Sequence, residues 1–216
     1  MIVLPEAGAP PLLVLGVVRG VVAEVAPMTA QLERFRPSRL ALALGAEEMA
    51  SYTEQFVRGR SDPFAPLLST ETAEVLALAR FGEVEVPHAA FIEGLRWAGR
   101  QGVPVEAVDP DEEQYADLFA HHIGYWELVR RTVRERSLTR SPPTADSPDD
   151  FVLRWAGRVG KGRASRRFER ERTELTCRQV RALQGANERV ALIIDRERIP
   201  ELERQLSPAA GSGRKR

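Results

Sequence analysis

The chain has 216 residues, 43% hydrophobic and 29% charged, the composition of a folded domain rather than a disordered chain. Its 31 basic and 31 acidic residues cancel, which removes the global signature of a nucleic-acid binder. One cysteine, Cys177, excludes an intramolecular disulfide and any cysteine-based zinc centre.

Residues 12–18 are an uninterrupted apolar run rich in valine and leucine, the pattern of a strand buried on both faces in a parallel sheet. The run is too short to span a bilayer and lacks a basic flank on its N-terminal side, so no membrane segment or signal peptide is expected and the protein reads as cytoplasmic. A helix follows over about 21–35, then a strand over 39–45 and a helix over 47–58 with Met49, Tyr52 and Phe56 on one face. Strand and helix alternating at this spacing predict a βαβ unit. After a Pro-containing loop at 59–68, Ser69 or Thr70 caps a helix through Phe81, and Pro87 opens another with Phe91, Leu95 and Ala98 inward. Residues 103–108 form a short strand that delivers Asp109 at its end.

The periodicity then predicts one long helix over 111–136, with Tyr115, Leu118, Phe119, His122, Trp126, Val129 and Val133 on its apolar face. Residues 137–150, with three prolines and three aspartates, read as a mobile loop. A short helix at 151–159, a charged helix at 163–183, a last strand at 189–195 and a helix to Leu206 complete the chain, and 207–216 read as a disordered basic tail. The expected fold is a single α/β domain over 1–206. It has a central, mainly parallel sheet flanked by helices and a helical insertion in the second half.

Arg19 and Arg198 lie just beyond the first and last strands. In open α/β sheets ligands collect outside the carboxyl ends of the strands. If those strands are neighbours the two arginines face one crevice, with Asp109 as their counter-charge; otherwise each caps its strand in solvent. His121 and His122 are adjacent on a helix and cannot chelate one ion together. His122 reads as a core histidine, His88 as a surface one and Cys177 as a small buried residue. Residues 157–162 lack the Lys-Ser/Thr ending of a phosphate loop. The arginine-rich stretch 154–172 has Glu169, Glu171 and Glu174 mixed in at helical spacing, which builds a salt-bridged exposed helix rather than a nucleic-acid surface.

Several motifs in order carry a distant resemblance. Gly16-Val17-Val18-Arg19 closes the first strand, Glu93-Gly94-Leu95-Arg96 lies on a middle helix, and Val108-Asp109-Pro110-Asp111 ends the third strand. Glu171-Arg172 sits on the late helix, with Glu169-Arg170 as a competing register, and the closing strand runs into Asp195-Arg196-Glu197-Arg198. With these the chain resembles the TraB/PrgY family, part of the group that includes the Tiki metalloproteases and the ChaN-like proteins. The resemblance implies that the first and last strands meet in one site and that the site holds a divalent metal on two histidines. Here both histidine positions carry arginine, Arg19 and Arg198, and the strand acids fall on Ala43 and Gly45. A guanidinium has no lone pair for a metal. A unit charge about 4 Å from a dication opposes it by roughly 8 kcal/mol at an effective dielectric near 20.

The expectation is therefore a divergent, catalytically inactive TraB-like protein without a metal or other cofactor. It acts by binding a small anionic ligand or a protein partner, with a homodimer as one possibility, and does not bind nucleic acid. Arg19, Arg198, Arg172 and Asp109 are the candidate binding residues. They either fill the former metal site as an ion-pair network or hold a phosphate or carboxylate. The alternative is a surviving metal-dependent hydrolase with Glu93 and Glu171 as catalytic acids, joined by Asp109 and Asp111 in an oxygen-rich site suited to manganese or magnesium.

Overall fold

The computed structural model describes residues 2–4, 11–54, 69–86, 88–184 and 188–206. The predicted loop at 59–68, the end of the helix predicted to reach residue 58, Pro87 and the tail at 207–216 lie outside the described residues. The sheet has five strands: β1 (Ile2–Leu4), β2 (Leu12–Val17), β3 (Arg39–Leu42), β4 (Val105–Ala107) and β5 (Val190–Asp195). Their spatial order is β1-β2-β5-β3-β4. β2, β5, β3 and β4 pair in parallel and β1 is an antiparallel edge. The fold is α/β, as the alternation of strands and helices implies.

The burial of the strands is consistent with that order. All six residues of β2 and all six of β5 are buried, which a strand achieves only with helices over both faces. Leu13, Leu15, Val17, Leu40, Leu42 and Ile193 point into one core with Phe91, Leu95 and Trp97. Their neighbours Leu12, Val14, Ala41, Leu192 and Ile194 point into a second core with Cys177, Val180, Leu202 and Leu206. Helices α1 (Val25–Phe35) and α4 (Ala89–Gln101) supply the first of these layers. Helices α8 (Arg163–Leu183) and α9 (Ile199–Leu206) supply the second. Gly94 lets α4 sit directly on β5, because a Cβ there would lie 2.8 Å from Ile193 Cδ1. The chain leaves β2 through α1, skips one sheet position to make β3, and fills the gap last with β5.

Between β3 and α4 lie α2 (Ala46–Tyr52) and α3 (Ser69–Leu78), and between β4 and β5 lies the expected helical insertion. The helix predicted over 111–136 is two helices, α5 (Glu112–His122) and α6 (Tyr125–Arg140). They part at Ile123-Gly124, where Gly124 is extended (φ −70°, ψ 167°) and caps α6. The predicted continuous apolar face does not exist. Tyr115, Leu118 and Phe119 pack around Phe168, but Trp126 is 71% and Val133 61% exposed.

The segment predicted as a loop over 137–150 is helical at both ends. α6 runs to Arg140 with Leu138 buried, and α7 (Pro148–Val159) begins with Ser147 accepting the Asp150 backbone N–H at 3.2 Å. Serine at the cap, proline in the first turn and two aspartates behind it are the residue types a helix start requires. Among the described residues no helix is long and apolar enough to cross a membrane.

Candidate site at the carboxyl edge of the sheet

The carboxyl ends of the four parallel strands deliver Arg19, Leu44-Gly45, Asp109 and Asp195 to one edge. β2 and β5 are neighbours in register, Val17 beside Asp195. The Asp109 backbone N–H donates to the Leu44 carbonyl at 3.1 Å, which fixes the aspartate beside the end of β3.

Two buried aspartates organise the edge. Asp195, the last residue of β5, accepts from Arg19 Nε at 2.6 Å. Asp109 accepts from Arg172 Nε at 2.9 Å and from the Arg172 Nη2 group. It also accepts from Thr176 Oγ1 at 2.8 Å. Arg198 Nη2 lies 2.9 Å from the Asp109 carboxylate and donates to Thr176 Oγ1 at 2.9 Å. Burial pushes the Asp109 carboxyl up, and Arg198 and Arg172 more than offset it, so it sits below the usual carboxylate range. Burial acts the same way on Asp195, and Arg19 reverses it.

Both carboxylates are therefore charged and paired. Sequence reasoning paired Asp109 with both Arg19 and Arg198; it serves Arg198 and Arg172, while Arg19 belongs to Asp195. Asp195 stood in the sequence as a strand terminus, and only the strand order shows what it meets.

Two adjoining cavities, about 540 and about 500 Å³, open on this edge and share Glu74, Tyr115, Arg172, Asp195 and Glu197. Arg19 lines the first and Arg198 the second. The first cavity also carries six further acidic side chains: Glu47, Glu48, Glu74, Asp111, Glu112 and Glu197. Two helices start at its rim, α2 after Gly45 and α5 after Asp111. Glu47 and Glu48 occupy the first turn of α2, and Asp111 accepts the Gln114 N–H at 2.8 Å as the cap of α5. The helix ends that would attract an anion are already occupied by the chain's own acids. Arg19 is paired with Asp195 inside this acidic first cavity, whereas Arg198 lines the second, where Nη2 is paired and the buried Nε and Nη1 have no hydrogen-bond partner among the described residues.

Glu197 is pushed up to about 8, first by burial and then by Asp195 and Glu74. His88, expected at the surface, is partly buried against Tyr52 and Phe91, and its Nε2 lies 3.4 Å from Arg19 Nη1. Burial and the Arg19 charge hold it down at about 3, so it is neutral. Cys177 is buried and its thiol is pushed up to about 11 by burial, an unreactive packing residue.

The expected acidic metal set is not assembled. Glu93 accepts from Arg100 at 2.6 Å on the surface of α4. Glu171 is 49% exposed and lies 2.6 Å from His122 Nε2. Asp111 is a helix cap, and Asp109 is taken up by arginines. Glu93 and Glu171 line neither cavity. Among the described residues no three His, Cys, Asp or Glu side chains are grouped to hold a metal ion. Arg19 and Arg198 have no lone pair with which to ligate a metal. No protein-family model matches the chain, and no curated protein matches it.

Proposed function

We propose that the chain is a non-hydrolytic ligand-binding domain, a divergent relative of the TraB/PrgY proteins, whose carboxyl-edge crevice takes an organic cation bearing an amine or guanidinium group. The adjacency of β2 and β5 supports the resemblance, since the family arrangement requires those strands to meet. The observation that carries the choice of ligand is the balance of charge. Arg19 and Arg172, which line the first cavity, are matched there by Asp195 and Asp109, and five further carboxylates line it beside Glu197, which burial holds protonated. A low-dielectric cleft lined by one sign of charge concentrates the opposite ion.

A thermal-shift series with spermidine, argininamide, inorganic phosphate and citrate tests this reading. The amines raise Tm by several degrees when in large excess over Kd, and Glu47→Gln with Glu112→Gln removes most of that rise. Stabilisation by phosphate that disappears in Arg19→Ala would restore the anion pocket instead.

A further inference from the structure

Helix α6 leaves most of its large apolar side chains facing outward. Its 16 residues span about 24 Å. The side toward the protein buries Leu138 and is otherwise polar: Glu127 accepts from Ser165 of α8 at 3.0 Å, and within the helix Arg134 donates to Glu127 at 2.6 Å and Arg131 to Glu135 at 2.9 Å. The opposite side is apolar and open. Tyr125 is 72%, Trp126 71% and Val133 61% exposed, and Trp126, Val129 and Val133 follow one another at i, i+3 and i+7 on a single stripe.

The charge along that stripe is of one sign. Arg130, Arg136 and Arg140 are exposed beside it, and no ion pair joins them to a carboxylate among the described residues. Both glutamates of the helix are turned inward onto Arg134 and Arg131.

We propose that this face of α6 docks on an anionic phospholipid surface, with Trp126, Val129 and Val133 entering the interface and the three arginines reaching the headgroups. An exposed stripe of large apolar side chains is a liability unless something covers it. A second copy of the chain would bring three arginines against three arginines without an acid between them, which opposes self-association. An anionic partner is required, and the pairing of tryptophan and tyrosine with basic residues is the chemistry of a helix lying in the bilayer interface. Long arginine side chains keep their heads among phosphates while their stems cover apolar surface.

The chain carries its own reporter. Of its three tryptophans, Trp97 and Trp155 are 3% and 5% exposed, so a change in emission on adding vesicles reports Trp126. The full chain is mixed with phosphatidylcholine vesicles, with and without about one-third phosphatidylserine, and followed by fluorescence and flotation. The expected result is a blue shift and co-flotation with the anionic vesicles only, weakening as salt rises. Replacing Arg130 or Arg136 by glutamine weakens binding about fivefold each. Val133→Glu keeps the reporter and abolishes the shift, and at an exposed position it leaves the fold intact.

Absence of both shift and flotation with anionic vesicles would overturn the proposal. So would a blue shift that appears without lipid as protein concentration rises, which would identify a second copy as the occupant. A shift with polyglutamate but not with vesicles would overturn it equally, in favour of an acidic protein partner.

Discussion

Asp109→Asn lowers the free energy of unfolding by about 3–5 kcal/mol, because one carboxylate compensates two buried guanidiniums. Arg198 is only 5% exposed and the Arg172 side chain 18%, so neither can recover its loss in water. Thr176 loses its acceptor in the same step. The measurement is urea unfolding followed by circular dichroism, with Asp111→Ala as the reference; losing that helix cap alone costs about 1 kcal/mol.

The pH dependence carries a sign. The folded carboxyl of Asp109 titrates below its ordinary value, so its contribution is fully present above about pH 4–5 and is lost as pH falls toward the folded value. Asp195 acts in the same direction. Asp109→Asn therefore flattens the acid limb of the stability profile while lowering the plateau. A loss under about 1 kcal/mol at neutral pH would mean that the arginines are hydrated rather than held by this aspartate.

Glu197→Gln has the opposite sign: it stabilises the protein, and only at high pH. Burial, Asp195 and Glu74 hold the folded carboxyl protonated up to about 8, whereas in the unfolded chain it ionises near 4.3. Its contribution is neutral below about pH 4, where both states are protonated. The folded state loses ground as pH rises from there to about 8, and the loss is constant beyond. Glutamine removes the titration, so the variant gains about 2–3 kcal/mol at pH 8–9 and nothing at pH 4, roughly half the full linkage figure because the carboxyl keeps some contact with solvent. Unfolding curves for both proteins across this range decide it: parallel curves would place Glu197 in solvent. In the folded protein the same ionisation adds a negative charge to the crevice, so the cation binding proposed above is expected to strengthen through about pH 8.

The framework was legible because its strands are unusual as sequence. Residues 12–18 and 189–195 are apolar without alternation, which only a doubly covered strand tolerates. The bounds of α8 matched Arg163–Leu183 because its apolar residues keep a helical period through a highly charged stretch. The break between α5 and α6 was hidden by the same logic. Phe119, His122 and Trp126 continue the period across Gly124, so periodicity gave no boundary, and packing then chose the salt-bridged face of α6 as its inner side.

In the site, the arginines and Asp109 could be named from the sequence, since strand ends in an open sheet are where ligands gather. Of their pairings, only that of Asp109 with Arg198 was foreseen. That Arg19 meets Asp195, that Asp109 also serves Arg172, and that His88 is neutral beside Arg19 all depend on strand order and helix docking. The choice between an anion and a cation turns on those partners, since Asp195 at the end of the last strand was not among the groups expected to face Arg19.

Titration calorimetry of the unmodified protein with spermidine and, separately, with inorganic phosphate tests most directly whether the arginines of the crevice are neutralised. Saturable binding of the amine, weakened by added salt and by Glu48→Gln with Glu74→Gln, together with no heat from phosphate, is the result expected of an acidic crevice whose guanidiniums are held by Asp109 and Asp195. Saturable phosphate binding abolished by Arg19→Gln or Arg198→Gln, with no response to the amine, would contradict it.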